Sequence, residues 1–418
     1  MVLTLALLGA LSAPTDDRAL AVLVWERSVD LQAARVRIAQ AEADAARAGL
    51  LPNPTLDVSY HTVPVGPHNP VGEPFFSIPN LQVGASQLIE LGKRGPRQDA
   101  SAQLARAVGL DTIELLRQRF FDMKELYADI ATSQARIASF SQLVEGAARL
   151  TALEQARASN GETSTLDLDR AHLEEAKLRS SLSEETERLR AGLRGCALAL
   201  GEDCDAFSDA AAATAFLEAL EQSARPVSFE ARPDLLSLEA QGEAARSAKT
   251  LAERHALPDL TVRLGYVKDW FVTSGNQANS LFVGVSLPLP VFDHGQHDAQ
   301  AAAVAVTASA RAHDLLLQSS TKALEGITME LAAFEARRAV LRGDTIPLAR
   351  KIVDRLSEAV ARGASPLQDL IIARRTLEEL SIDALDLELA AFKLSITRAR
   401  LSGVVPPLPP ELDLEAKP

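Results

Sequence analysis

The chain has 418 residues, a formal net charge of -13 and only 4% aromatic residues. The acidic charge argues against a nucleic-acid-binding protein, which carries basic patches. The sequence contains no run of 18 or more apolar residues, so a transmembrane helix is not predicted. Abundant Ala, Leu, Glu and Arg are typical of long helices with narrow apolar seams.

Residues 1–18 form a distinct N-terminal segment. Its first part, Met1 to Ala13, is apolar and ends in small residues, as the core of a secretory signal does. No Lys or Arg precedes that core, so a buried first helical turn is the alternative. No Cys follows the apolar run, and lipid anchoring is therefore not predicted.

The rest of the chain passes twice through one order of elements, over 19–225 and 226–404, and ends in a tail at 405–418. The following pairs are each 202 positions apart: Gly161 and Gly363, Ala171 and Ala373, Gly201 and Gly403. An internal repeat of this length predicts one structural unit that is used twice.

Each repeat is predicted to begin with an amphipathic helix, at 19–49 and 233–256. A Leu-Pro pair ends each helix, since proline interrupts the helical hydrogen bonds. Alternating apolar and polar residues then predict strands with one apolar face and one polar face. The four predicted strands are 55–64, 81–90, 259–268 and 281–291.

A very long helix follows each strand pair, and each reverses into a return helix. The predicted helices are 97–159 with 165–200, and 296–361 with 367–402, giving helical hairpins at 97–200 and 296–402. Pro347 is predicted to break or kink the second long helix. Helices of this length do not fit a compact domain and favour a coiled-coil or barrel-stave arrangement.

The hairpin tips carry strong helix-end signals. Gly161 and Gly363 are predicted left-handed C-caps. Ser164 pairs with Asp167 at the start of the first return helix, and Ser365 is the predicted N-cap of the second. Pro366 and Gln368 follow Ser365 at favourable positions. Because only the second hairpin has this Ser-Pro start and a proline in its long helix, we predict that the second hairpin is the moving part.

The cysteines of the chain, Cys196 and Cys204, flank Gly201 at a helix end. A chain that turns back after a C-cap glycine brings them within disulfide reach. We predict a disulfide if the protein is exported to an oxidising compartment. Two small buried thiols are the alternative.

Strands of about ten residues span a bilayer when tilted. Four such strands cannot do so alone, because their edge groups would be unpaired in hydrocarbon. Strands pooled between chains solve this problem: two chains give eight strands and a nearly solid barrel, and three give twelve with a lumen.

Several stretches resemble the TolC-type outer-membrane efflux proteins, also called outer membrane factors. In the first repeat these are Leu51-Pro-Asn-Pro-Thr-Leu56 and Ser86-Gln-Leu-Ile-Glu90-Leu-Gly-Lys-Arg94. In the second they are Arg232-Pro-Asp-Leu235, Leu257-Pro-Asp-Leu260, Val285 to Asp293, and Ala373-Arg-Arg-Thr-Leu377. The resemblance covers about 19–404, and it is greatest to the heavy-metal cation (Czc-type) branch.

That resemblance implies a mainly α protein with a membrane β-barrel portion. Three chains would form a 12-stranded barrel in the outer membrane of a Gram-negative bacterium and a 12-helix tunnel in the periplasm. Its partners would be two further copies, outer-membrane lipid, a periplasmic adaptor and an inner-membrane pump. The expected function is that of a passive exit channel, whose substrates include heavy-metal cations.

The resemblance also assigns the hairpin tips to adaptor docking. The matching residues are Arg157, Gly161, Ser164 and Leu166 in the first tip, and Arg362, Gly363, Ser365 and Leu367 in the second. Simple helix capping by the Gly and Ser residues is the alternative reading. Acids near the tips are candidates for a charged aperture, because copies of one carboxylate around a pore attract cations. These are Asp369, Asp167 and Asp169, for which a favourable contact with the helix dipole is the alternative.

No catalytic site, metal site or cofactor is predicted, since phosphate-binding, zinc-ligand and nucleophile motifs are absent. The run Asp293-His294-Gly-Gln-His297-Asp298 contains possible metal ligands, but the family uses this position as a polar turn. A soluble coiled-coil scaffold without a pore is the main alternative function. A periplasmic adaptor is a further alternative, which the duplicated order of elements disfavours.

Overall fold

A computed structural model describes residues 17–63, 65, 72, 74–223, 229, 232–270 and 277–412. Most of the predicted N-terminal segment lies outside these residues, as do 413–418 of the tail and much of both loops that join paired strands. The described chain is mainly helical with four strands, as the sequence predicted.

The sequence analysis did not predict α5, and the other elements occur in the order that it gave. The helices are α1 (Asp17–Arg27), α2 (Val29–Ala48), α3 (Arg94–Ser159), α4 (Thr165–Leu200), α5 (Ala210–Ser223), α6 (Pro233–Glu253), α7 (Gln296–Val340), α8 (Ile346–Ala361) and α9 (Leu367–Leu401). The strands are β1 (Thr55–His61), β2 (Asn80–Ile89), β3 (Leu260–Asp269) and β4 (Asn279–Ser286).

Two strands end earlier than the sequence analysis placed them. The segment predicted at 55–64 stops at His61, because Thr62 has a positive φ of 57° that an extended strand does not accommodate. The segment predicted at 281–291 begins at Asn279 and stops at Ser286. Pro288 and Pro290 follow directly, and neither has an N–H group for a strand partner.

Pro347 does not end the second long helix. A five-residue π-helix, Leu341–Thr345, connects α7 to α8, and Pro347 lies in the first turn of α8. A proline ring clashes with the carbonyl group four residues earlier in a regular α-helix. The wider π turn is a common way to absorb such an interruption, and the helical course continues through it.

The chain divides into two compact units, and each combines segments of both repeats. One unit contains 36–109 and 237–314, and the other contains 1–35, 110–236 and 315–418. The sheet lies in the first of these, which we call the sheet unit. The hairpin tips lie in the second, which we call the hairpin unit.

The sheet is antiparallel throughout, with the order β1-β2-β3-β4. Val58 pairs with Val83, Val83 with Tyr266, and Tyr266 with Leu281, so these side chains share one face. Large apolar residues on this face are exposed in the single chain. They are Leu56, Val58, Tyr60, Leu264, Tyr266, Leu281, Val283 and Val285.

The residues after β2 hold the sheet to the neighbouring helices. Lys93 pairs with Asp259 at 2.8 Å, and Arg94 donates two hydrogen bonds to the carbonyl oxygen of Gly49. Arg97 forms a two-point contact with the Glu90 carboxylate, and this hydrogen bonding raises the pKa of Arg97. The run Glu90 to Arg94, which carried part of the family resemblance, therefore forms the junction between strand and helix.

The hairpin unit has an aromatic core. Tyr127 is completely buried, and its ring lies 6.4 Å from that of Phe216, which in turn lies 5.7 Å from Phe392. These rings join α3, α5 and α9. Burial of each large apolar side chain contributes about 1.5–3 kcal/mol, and burial raises the pKa of the Tyr127 hydroxyl to about 12.

Candidate functional site

The two hairpin tips have the same backbone geometry. Gly161 and Gly363 have φ values of 74° and 72°. At each tip the glycine N–H donates to the carbonyl three residues earlier, and the next N–H donates to the carbonyl five residues earlier. This is the Schellman arrangement. A Cβ at either glycine would meet no atom within 4 Å, so backbone conformation alone requires glycine here.

The return helices begin differently. Ser164 caps α4, since its Oγ accepts the Asp167 N–H at 3.2 Å and donates to the Asp167 carboxylate at 2.7 Å. The prediction that Ser365 caps α9 is wrong. Pro366 takes the N-cap position with an extended backbone, and the Ser365 hydroxyl instead lies 3.3 Å from the Asp369 carboxylate.

The two tip leucines also differ. Leu166 is 56% exposed, whereas Leu367 is only 8% exposed. Leu367 packs against Val360 and Leu370 in the interior of the second hairpin. In the single chain Leu367 therefore stabilises the tip from within, whereas Leu166 is exposed at its tip.

The tip arginines have unlike partners. Arg157 pairs at 3.1 Å with Glu154, a carboxylate that is completely buried. Arg362 lies 3.5 Å from Glu358, and both of these side chains are largely exposed. Arg157 is thus held by its own helix, while Arg362 remains free to reorient because exposed pairs contribute little.

Of the predicted aperture acids, Asp167 and Asp369 lie in the first turns of the return helices, and Asp169 lies two residues after Asp167 in α4. Asp167 is half-buried and pairs with Arg170 at 3.2 Å, while Asp169 and Asp369 are exposed. Acids at a helix N-terminus are stabilised by the helix dipole. Within one chain this effect explains the positions of Asp167 and Asp369, and any ring of charge would require further copies.

The described residues contain no group of three or more His, Cys, Asp or Glu placed to hold a metal ion. His294 and its neighbours form a polar turn before α7: the Asp293 carboxylate accepts the Gly295 N–H at 2.9 Å, and the Gln296 side chain accepts the His294 N–H at 3.0 Å.

The Sγ atoms of Cys196 and Cys204 are bonded to each other, with the two Cα atoms 6.0 Å apart. Gly201 lies between them with a φ of 73° and ends α4. The Tyr127 hydroxyl is 3.6 Å from the Cys196 sulfur. The disulfide therefore closes the loop after the first hairpin and secures it to the aromatic core.

A groove of about 410 Å³ separates the two hairpins near their tips, between α3, α4, α8 and α9. Arg374 crosses it and donates to the Gly146 carbonyl at 3.3 Å. Burial, helped by nearby Arg149, lowers the pKa of Arg374, and burial raises the pKa of Glu378. Sequence reasoning missed this groove, because its residues come from four helices and share no local signal.

A larger cavity of about 710 Å³ lies beside the π-helix, between α3, α5 and α9. The Arg342 guanidinium pairs there with the Glu388 carboxylate, which is almost completely buried. A second network joins the hairpins, since Arg136 pairs with both Glu185 and Asp386. Carboxylates of α9 thus form ion pairs on two sides of that helix.

No helix among the described residues has both the length and the apolar character needed to cross a bilayer. No known family model matches the sequence.

One curated relative is the cobalt-zinc-cadmium resistance protein CzcC of Cupriavidus metallidurans, which is 25% identical over 330 residues, 75% of each chain. Among solved structures, the fold matches that of CusC with a TM-score of 0.75 and 14% identity, over 96% of this chain and 95% of that one. It also matches the outer membrane protein VceC of Vibrio cholerae, with a TM-score of 0.71 and 15% identity, over 93% and 96% of the two chains.

The sequence relative, the shared fold over nearly the whole chain and the repeated strand-and-hairpin order agree with one another. The chain is similar in sequence to CzcC and shares its fold with CusC and with the outer membrane protein VceC, in agreement with the resemblance found in the sequence.

Proposed function

We propose that this protein is the outer-membrane exit duct of a tripartite efflux system. The observation that carries the proposal is the sheet, which has an exposed apolar face and a polar face. An apolar face of exposed Leu, Val and Tyr is costly in water and stable in lipid. Polar residues on the opposite face suit a water-filled lumen.

The sheet is completed by other copies of the chain. Within the described residues, β1 and β4 each have one edge without a strand partner. Unpaired edges are not viable in hydrocarbon. Three chains supply twelve strands, which close the barrel and leave a lumen. The helical hairpins of the same three chains would form the periplasmic tunnel.

The hairpin tips are the proposed contact with the periplasmic adaptor. Leu166 and Arg362 are exposed there, and the rigid Schellman turns present them at defined positions. The acids Asp167, Asp169 and Asp369 would lie near the tunnel entrance in three copies each. Their charge would favour cations over anions at that point.

The proposed cargo includes divalent metal cations, because the curated relative is named for cobalt, zinc and cadmium resistance. The duct itself performs no chemistry, and the partner pump supplies the energy. Loss of this protein should therefore sensitise its host to these metals, while a host that lacks it but shows unchanged cobalt, zinc and cadmium tolerance would exclude this cargo.

Planar-bilayer recording of the purified protein tests the duct directly. Detergent-extracted protein should sediment as a trimer and form channels, and their preference for cations over anions should fall when the three tip acids are changed to Asn. A soluble monomer, or a trimer that gives no channels even after this change, would refute the proposed function.

A further inference from the structure

Four residues form one row across the polar face of the sheet. Asp57 pairs with Gly84, Gly84 with Gly265, and Gly265 with Phe282. Phe282 is the one Phe, Trp or Tyr on this face among the described strand residues. A large aromatic side chain therefore lies beside two neighbouring strands that have no side chain at the same level.

The Phe282 ring occupies the space that those side chains would fill. A Cβ built on Gly265 would lie 2.4 Å from Cε1 and 2.6 Å from Cζ of the ring, and one built on Gly84 would lie 3.0 Å from Cζ. Side chains of a strand normally stand roughly perpendicular to the sheet. The ring of Phe282 instead reaches across β3 to β2 and covers the backbone of both.

Glycine weakens the interior of a strand, and its presence often marks the close approach of another group. Here that group is the ring of the edge strand β4. The paired glycines and Phe282 thus form one unit. Because β2 and β3 have no side chain at this level, the ring of Phe282 can lie flat against both strands.

We infer that Gly84 and Gly265 form a slot that holds Phe282 against the inner wall of the barrel and thereby sets the width of the lumen at this level. The inference rests on the proposed function, in which the polar face lines the lumen. Three symmetry-related rings lie at one height in the trimer. With the slot filled, each ring must stand up from the wall and project into the path of the cargo.

The test uses Gly84→Val, because a Cβ there meets the ring tip at 3.0 Å while its nearest backbone atom is 3.1 Å away. The matched control is Gly284→Val, which adds the same side chain to the same face, where the nearest atom is Arg263 Cβ at 3.9 Å. The double variant Gly84→Val with Phe282→Ala removes the displaced ring. All variants carry the tip-acid changes to Asn, so that every variant has the same tunnel entrance.

Single-channel conductance is recorded with polymers of graded size added on the barrel side. Gly84→Val should lower the polymer size above which exclusion begins, relative to the control. It should also lower conductance by roughly a quarter or more, because the raised rings occupy part of a cross-section that the barrel geometry fixes. The double variant should return both values to those of Gly284→Val. Heat-resistant trimer on gels verifies assembly, and if Gly84→Val does not assemble, rescue of the trimer by Phe282→Ala is the expected result.

Equal exclusion limits for Gly84→Val and Gly284→Val would overturn the inference, as would a double variant as narrow or as poorly assembled as Gly84→Val alone. These outcomes leave the parent protein conducting. Failure of the proposed function is different, because the parent protein itself would then form no channels.

Discussion

The ion pair between Arg342 and Glu388 should respond unequally to loss of its two members. The Glu388 side chain is 7% exposed, whereas Arg342 is 44% exposed. Arg342 lies in the π-helix and Glu388 in α9, so the pair joins the two helices of the second hairpin at its irregular point. Oε2 of Glu388 has no hydrogen-bond partner in the described structure.

Arg342→Met leaves a buried carboxylate without its cation. Breaking a fully buried pair in this way costs about 3–5 kcal/mol. Because Arg342 is partly exposed and water reaches its side of the pair, we expect a loss of about 2 kcal/mol. Glu388→Gln removes the buried charge and leaves a partly exposed guanidinium that water can solvate, so its cost should be about 0–1 kcal/mol. The double variant should resemble Glu388→Gln.

Urea denaturation of the detergent-solubilised trimer, followed by circular dichroism, measures these differences as a double-mutant cycle. Arg375→Met is the matched control, since Arg375 pairs with Glu379 at 3.1 Å but both side chains are mostly exposed. That control should change stability by less than about 0.5 kcal/mol. A larger loss for Glu388→Gln than for Arg342→Met, or additive effects in the double variant, would refute the reasoning.

Three further predictions concern the hairpins and the loop after α4. Proline at Gly161 or Gly363 should abolish export but spare membrane insertion, because proline cannot adopt their positive φ and lacks the N–H that each glycine donates; loss of the barrel in outer-membrane fractions would contradict this. Glu378→Gln should raise the melting temperature at pH 7.5 but not near pH 4. Burial raises the folded-state pKa of Glu378, and the positive charge of Lys177 compensates only in part. The folded state is therefore most stable where Glu378 is protonated in both states, and it loses stability as the pH rises through the folded-state pKa. An equal shift of the melting temperature at both pH values would exclude this cause. Replacing both Cys196 and Cys204 by Ala should cost about 2–3 kcal/mol in urea unfolding, as expected for a short closed loop, and reductant should lower the stability of the native chain but not of the variant.

Local signals predicted the elements that local physics determines. Gly161 and Gly363 were recognised as helix ends because a left-handed residue strongly favours glycine, and the structure has them with φ near 73°. Alternation predicted the strands, since the period of two is a property of the extended chain. The end of β4 was misplaced because apolar alternation continues past Pro288, where hydrogen bonding to a partner strand stops.

The tertiary features did not follow from the sequence. Leu367 has the same type and nearly the same place after its glycine as Leu166, yet one is buried and the other exposed. That difference depends on which helix faces meet, and a single amphipathic pattern does not fix it. The slot for Phe282 was missed for a similar reason: Gly84, Gly265 and Phe282 are far apart in sequence, and only the strand register places them in one row.

The two repeats differ most along their long helices, which bears on the prediction that the second hairpin moves. α3 runs unbroken from Arg94 to Ser159. In the second repeat the corresponding long helix is divided into α7 and α8 by the π-helix before Pro347. A π turn replaces the regular i→i−4 hydrogen bonds of the α-helix, and such turns are frequent at functional sites. The Arg342–Glu388 pair lies at this turn and would oppose its bending by holding α9 to it. Arg342→Met, which weakens that pair, should therefore change the conductance of the channel by allowing the second hairpin to bend. Arg375→Met should leave the conductance unaltered.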